Sequence, residues 1–162
     1  MGIETNRLAM RYKILLINPG GQSYRHNKFY EPIELGLVAS LVTDPNWEVR
    51  IIDLRFEDSD LPDADIVALS SRIIDINTTY EIIRHYKAKG ITTVIGGTHA
   101  TLCPDEAQEY ADVVVIGEAE GVLMKILKDY ESGTLKKIYK GYTDFKYTVN
   151  RNHYKHYYKN ST

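Results

Sequence analysis

The sequence predicts a doubly wound, Rossmann/flavodoxin-like α/β fold: a five-stranded parallel sheet with helices on both faces. Three observations predict it. Short apolar runs rich in β-branched residues recur about five times. Segments with apolar residues at helical spacing lie between them, and each strand-plus-helix unit takes roughly 20 to 30 residues, enough for a crossover between parallel neighbours. The runs also end abruptly, most plainly where Ile-Thr-Thr-Val-Ile at 91–95 meets Gly96-Gly97. A run of that kind suits a strand buried on both faces. The two glycines permit a sharp turn and leave the backbone uncovered past the strand's carboxyl end, where open α/β sheets bind their ligands.

Taken in order, residues 1–12 are polar, carry a second methionine at Met10, and read as a leader or an expression-derived extension. Residues 14–17 form a first buried strand closed by the turn Asn18-Pro19-Gly20-Gly21. The polar and aromatic stretch 22–30 reads as a functional loop. Pro32 suits the first turn of a helix through Val42, with Ile33, Leu37 and Leu41 on one stripe. Residues 47–54 largely alternate apolar and polar side chains, which predicts a second strand near the sheet edge. An acidic connector over 58–65 leads to a third buried strand at 66–69, which ends in Ser70-Ser71. A helix over 75–89 stops at Gly90, and the strand 91–95 follows. Pro104 starts a short helix to Tyr110, residues 112–116 form another apolar strand ending at Gly117, and the last clear helix spans 118–130. Residues 137–139 read as a short extended segment. A five-stranded sheet of this class most often takes the order 2-1-3-4-5, with its crevice between strands 1 and 3. The loops after residues 17, 69, 95 and 116 then share one rim.

At 162 residues, with 43% hydrophobic and 26% charged side chains, the chain is long enough to bury one core, expected over residues 13–141. The net charge of −2 is unevenly spread, because Lys146, Arg151, Lys155 and Lys159 have no acidic neighbour after Asp144. Those cations alternate with Tyr147, Tyr154, Tyr157 and Tyr158, so residues 142–162 read as a solvated tail or linker. The alternative function is a non-catalytic interaction module that binds single-stranded nucleic acid through this tail. A single cysteine, Cys103, excludes an internal disulfide framework and fits a reducing compartment. No apolar stretch approaches the roughly 18 residues of a membrane span, and the N-terminus lacks a signal-peptide core, so a cytoplasmic location is expected.

Several common tenants of the fold are excluded by the rim. A dinucleotide site needs Gly-x-Gly-x-x-Gly opening a helix, whereas Gly20-Gly21 runs into Ser23, Tyr24, Arg25 and His26. Asp53 therefore reads as a strand-end cap and not as a ribose-binding acid. A phosphoacceptor domain needs acidic residues after strand 1 and an aspartate after strand 3, where this chain has Asn18 and Ser70-Ser71. A Ser/Thr-rich phosphate loop of the flavodoxin type is also missing.

The ordered set Pro32-Ile-Glu-Leu-Gly-Leu-Val-Ala-Ser-Leu41, Val49-Arg-Ile-Ile-Asp-Leu54, Ala68-Leu-Ser-Ser71, Gly96-Gly-Thr-His-Ala-Thr101 and Gly117-Glu-Ala-Glu120 resembles the N-terminal cobalamin-binding domain of B12-dependent radical SAM enzymes. The resemblance covers roughly residues 13–141. It implies cobalamin as cofactor and a rim built from Asn18, Pro19, Gly20, Gly21, Ser70, Ser71, Gly96, Gly97, Thr98, His99, Gly117 and Glu118. Small residues at 70, 71, 96 and 97 leave a slot for the nucleotide tail. The Ser70 and Ser71 hydroxyls are placed to bond the tail's base or ribose, and the Thr98 and Gly117 amides to meet its phosphate. Each feature also has a plain structural reading: strand termination for the serines, a turn for the glycines, and charge–dipole attraction at a helix start for Glu118 and Glu120.

The resemblance has two departures. Cobalamin modules that supply a histidine to cobalt carry Asp-x-His-x-x-Gly after strand 1; here His26 has Tyr24 and Phe29 in place of the Asp and Gly. No metal ligand is therefore expected: His26 lacks the group that would orient it, and the cofactor is expected base-off with no protein histidine on cobalt. His99 reads as a tail contact or a loop-organising group, and His85 as a surface residue. The pairs His99/Cys103 and His153/His156 have metal-ligand spacing but lack further ligands. Second, a radical SAM enzyme needs three cysteines for its cluster, and Cys103 stands alone. Its 4Fe-4S cluster and S-adenosylmethionine are then expected in a further domain or partner, in cis or in trans, and the chain alone is expected to be without turnover or membrane contact. The implied chemistry is methyl transfer or a related reaction.

Overall fold

The computed structural model describes residues 12–20, 33–55 and 61–141. Six parallel strands form one sheet: β1 (Tyr12–Asn18), β2 (Trp47–Asp53), β3 (Ile66–Ser70), β4 (Thr92–Gly96), β5 (Val113–Gly117) and β6 (Ile138–Gly141). The order is β2-β1-β3-β4-β5-β6, so β2 lies at an edge, as its alternating pattern predicts. The helices are α1 (Ile33–Ser40), α2 (Ile76–Ala88), α3 (Thr98–Leu102), α4 (Pro104–Tyr110) and α5 (Leu123–Glu131), with a 3₁₀ turn at Ala119–Gly121. The α/β class stands, but the expected five strands become six, because residues 138–141 pair in parallel with β5, Val114 opposite Ile138 and Val115 opposite Tyr139. This strand buries the Tyr139 side chain while Lys140 stays exposed, so it lacks the apolar run that marks the others. A second correction is α3, which the sequence reads as loop. Its five residues are too few to show helical periodicity.

Alternate side chains of each strand feed two cores. Ile14, Leu16, Ile66, Val94, Val113 and Val115 pack with α1 (Leu35, Ala39) and α5 (Leu123, Ile126, Leu127). On the other face Leu15, Ile17, Val67, Leu69, Ile95 and Val114 pack with α2 (Tyr80, Ile83, Tyr86) and with α3 and α4 through Ala100 and Ala107. At the amino-terminal edge, Tyr12 stacks on Trp47 with ring centroids 5.0 Å apart, and Tyr130 meets both edge-on. The Trp47 indole N–H donates to Glu131, joining the end of α5 to the start of β2. Thr93, buried within β4, has its amide and hydroxyl bonded to Asp112 at 2.9 and 2.8 Å.

No helix among the described residues is long and apolar enough to cross a membrane. The expectations for residues 1–11, for Gly21, the loop 22–30 with His26, and Pro32, and for the basic tail 142–162 lie outside the described residues, whereas Tyr12, read with the leader, is the first residue of β1.

Candidate functional site

Because all strands run parallel, the ends of β1, β3, β4 and β5 meet at one rim. An open cleft of about 150 Å³ enters the molecule there, between α1 and α5. Its floor is Leu16, Ala68, Ser70, Val94, Gly96 and Val115; its walls are Leu35 and Val38 of α1 and Leu123 and Ile126 of α5. Leu69, Gly97, Gly117, Ala119 and the carboxylates Glu34, Glu118 and Glu120 complete the lining. The slot exists because α1 and α5 stand apart on this face and the strand ends between them carry small side chains. Sequence reasoning names Ser70, Gly96, Gly97, Gly117 and Glu118 for the site, and all five line the cleft. It misses the apolar walls: Leu123 and Ile126 read simply as core, and the stripe expected of α1, Ile33, Leu37 and Leu41, is not the inward one, since Leu35 and Ala39 are buried, Leu35 and Val38 line the cleft and Ile33 is exposed.

Two glycines hold the rim by close approach. Gly97 has φ +93°, and a Cβ there would sit 2.6 Å from the Ser71 carbonyl oxygen and 2.8 Å from its amide nitrogen. Gly117 has φ +83°, and a Cβ there would meet the Gly141 carbonyl oxygen at 2.1 Å. That contact follows from β6, whose Gly141 carbonyl accepts the Glu118 amide at 3.1 Å. Gly96 differs, since an added Cβ would meet only Val115, at an ordinary 3.6 Å.

The remaining expected residues are placed as follows. Ser71 is fully buried and absent from the cleft lining; its hydroxyl donates to the Gly96 carbonyl at 2.8 Å and ties the end of β3 to that of β4. The Gly117 amide donates to Thr101 Oγ1 at 3.0 Å, so it is engaged within the protein. Thr98 is exposed at the start of α3. Asn18 and Pro19 are buried, and the Asn18 side-chain amide donates to Asp53 Oδ1 at 3.3 Å. Asp53 also receives the Arg55 guanidinium, through Nε at 2.9 Å to Oδ1 and Nη2 at 2.5 Å to Oδ2, and the Arg55 amide at 3.1 Å. Such a fork against a largely buried carboxylate suits the strand-end cap expected of Asp53. Gly20 follows this knot at the rim.

The loop after β3 is similarly pinned. Asp75, its carboxylate enclosed, accepts the Arg72 amide at 2.7 Å and Arg72 Nε at 2.9 Å. This leaves Ile73 and Ile74 pointing outward, 69% and 55% exposed. Together with Ile33 at the start of α1 and Leu102 at the end of α3, they are the exposed large hydrophobic side chains among the described residues. All four lie in segments that leave the rim ends of strands.

His99 packs on the other face. Its ring is buried, with Nε2 3.4 Å from the Tyr80 hydroxyl and 3.5 Å from Glu106 Oε1, and its amide donates to the Ser71 carbonyl at 3.2 Å. Burial raises the Tyr80 hydroxyl well above the ordinary tyrosine range, and the hydrogen bond it donates to Glu106 adds to the shift.

Three comparisons bear on this arrangement. Bacteriochlorophyllide d C-8(2)-methyltransferase of Chlorobaculum tepidum is 36% identical over 107 residues, covering 65% of this chain and 24% of that protein. Bacteriochlorophyllide d C-12(1)-methyltransferase of the same organism is 31% identical over 163 aligned residues, covering 91% of this chain and 36% of that protein. The chain therefore spans about a quarter to a third of the length of these relatives. Among solved structures, the radical S-adenosylmethionine methyltransferase TsrM from Kitasatospora setae, with cobalamin and a 4Fe-4S cluster bound, superposes with a TM-score of 0.63 at 20% identity. The match covers 76% of this chain and 25% of that one, and it shares the fold. A family model for the B12 binding domain matches residues 27–127, the segment holding both helical walls of the cleft and its floor apart from Leu16. The chain belongs to the B12-binding domain family.

Proposed function

We propose that the chain is the cobalamin-holding domain of a radical SAM methyltransferase, with the nucleotide tail in the cleft, the corrin on the rim and no protein histidine on cobalt. The cleft carries the reading. Pockets that enclose a whole drug-sized ligand run to about 300–1,000 Å³. A cleft of about 150 Å³ with apolar walls suits one flat heteroaromatic group, the tail's base, and leaves the macrocycle outside. In the loop that leaves the rim end of β3, Ile73 and Ile74 are exposed apolar side chains of the kind a large ligand covers. The residues present fit the group. When bound, cobalamin supplies a cobalt centre able to carry a methyl group. This chain's own residues shape the slot, exclude water from the tail and present the rim. Glu34, Glu118 and Glu120 also line the cleft, so the tail phosphate belongs away from these carboxylates.

The methyltransferase setting rests on the two bacteriochlorophyllide relatives, and the radical SAM setting on the ordered rim motifs with TsrM as a fold neighbour. Since Cys103 is the one cysteine here, cluster and S-adenosylmethionine belong to another domain or a partner chain. Titration with hydroxocobalamin is expected to give a saturable spectral change. The Co(II) form of the complex should lack nitrogen hyperfine coupling that depends on a protein side chain, and His26→Ala should leave its spectrum unchanged. Coupling that disappears in His26→Ala would show a histidine-ligated cobalt and overturn that part of the reading.

A further inference from the structure

We infer that His99, Cys103 and Glu106 form a second, separate metal site, for a divalent ion of the zinc class, on the side of the sheet carrying α2, α3 and α4. The sequence alone offers the pair His99/Cys103; the fold adds Glu106. Cys103 both ends α3 and precedes α4: its amide donates to the His99 carbonyl at 2.8 Å, and its carbonyl accepts the Ala107 amide at 3.1 Å. Two short helices joined at this residue bring positions i, i+4 and i+7 onto one side. The imidazole, thiol and carboxylate donor atoms all lie within 4.8 Å of one another.

That spacing is close to what a tetrahedral ion requires. Bonds of about 2.0–2.3 Å give donor–donor edges of roughly 3.3–3.8 Å. His99 Nε2 and Glu106 Oε1 are already 3.5 Å apart. Cys103 is exposed and Glu106 is half exposed, so rotation about side-chain bonds closes the remaining gap. His99 is the fixed member, buried and with its amide on the Ser71 carbonyl. A partner also stands behind the carboxylate: the Tyr80 hydroxyl donates to Glu106 Oε1 at 3.0 Å, while the Tyr80 ring stacks on Tyr110 at 3.7 Å. Outer hydrogen bonds of this kind orient metal-binding carboxylates.

The donor set selects the ion. Thiolate with imidazole favours zinc, cobalt(II) or nickel over magnesium and calcium. Three protein ligands leave a fourth position for water. His99 Nδ1 is buried without a hydrogen-bond partner, so a metal on Nε2 places the ring proton where no acceptor waits. This cost, with the open position, sets affinity below that of four-ligand structural zinc sites.

The test is a titration of the full, corrinoid-free chain with Co²⁺ under anaerobic conditions, followed by Zn²⁺ displacement. The expected result is a saturable one-to-one thiolate-to-cobalt charge-transfer band in the near ultraviolet, displaced by Zn²⁺ and not by Mg²⁺. Cys103→Ser should remove the band, and Glu106→Gln should weaken binding by more than about tenfold. Both side chains reach solvent, so circular dichroism should show either variant folded. A double replacement of His153 and His156 by Ala should leave the band in place. Absence of a charge-transfer band in the unmodified chain, or a band unaffected by Glu106→Gln, would overturn the assignment.

Discussion

Gly96→Leu is expected to weaken cobalamin binding by roughly 100-fold while the protein remains folded. Gly96 lies in the cleft floor opposite Ser70, and the space beside it is open: a Cβ would touch only Val115, at 3.6 Å. A leucine there directs its branched end into the slot between α1 and α5. Lodging a flat aromatic group in an apolar slot is worth roughly 2–3 kcal/mol, which is the loss expected when the slot is filled. Spectral titration reads the affinity, and thermal unfolding followed by circular dichroism reads the fold. Unchanged affinity in a folded Gly96→Leu chain would place the tail elsewhere. Gly97 is the poorer choice of variant, because at φ +93° even a methyl group collides with the Ser71 backbone.

Gly117→Ala is expected to cost about 3–5 kcal/mol of stability, against about 1 kcal/mol for Gly133→Ala. The two glycines share a left-handed backbone, φ +83° and +69°. They differ in space, since a Cβ at 117 would lie 2.1 Å from the Gly141 carbonyl oxygen, whereas at 133 it would meet nothing within 4 Å. Both substitutions pay for backbone conformation, but only Gly117→Ala must also push β6 away from β5 and break the bond from the Glu118 amide to Gly141. Urea unfolding of both variants separates the two effects. Equal losses would mean that the β5–β6 contact yields freely and that β6 contributes little to the rim.

The parts of the fold legible in the sequence are those where one physical signal dominates. Residues 14–17, 66–69 and 112–116 announce themselves because strands covered on both faces are apolar throughout, and β2 announces its edge position by alternation. Proline at 104 marks the start of α4 at the position observed. By contrast α3 has five residues, and β6, readable only as a short extended segment at 137–139, joins the sheet through pairing with β5 between residues more than 20 positions apart, which no local pattern records. The site divides in the same way. Small residues where strands end point to a slot, so Ser70, Gly96 and Gly97 are readable. Ser71 illustrates the limit: as a residue type it is a ligand donor and a strand terminator alike, and only the fold shows its hydroxyl on the Gly96 carbonyl. Glu106 is likewise invisible beside His99 until two short helices meet at Cys103.

The most direct measurement of the central claim compares cobalamin with cobinamide, the corrinoid that lacks the nucleotide tail, on the unmodified chain and on Gly96→Leu. If the tail occupies the cleft, the unmodified chain binds cobalamin about 100-fold more tightly than cobinamide, and Gly96→Leu removes that preference while cobinamide binding stays the same. Equal affinity for the two corrinoids, or a Gly96→Leu effect of the same size on both, would contradict the account.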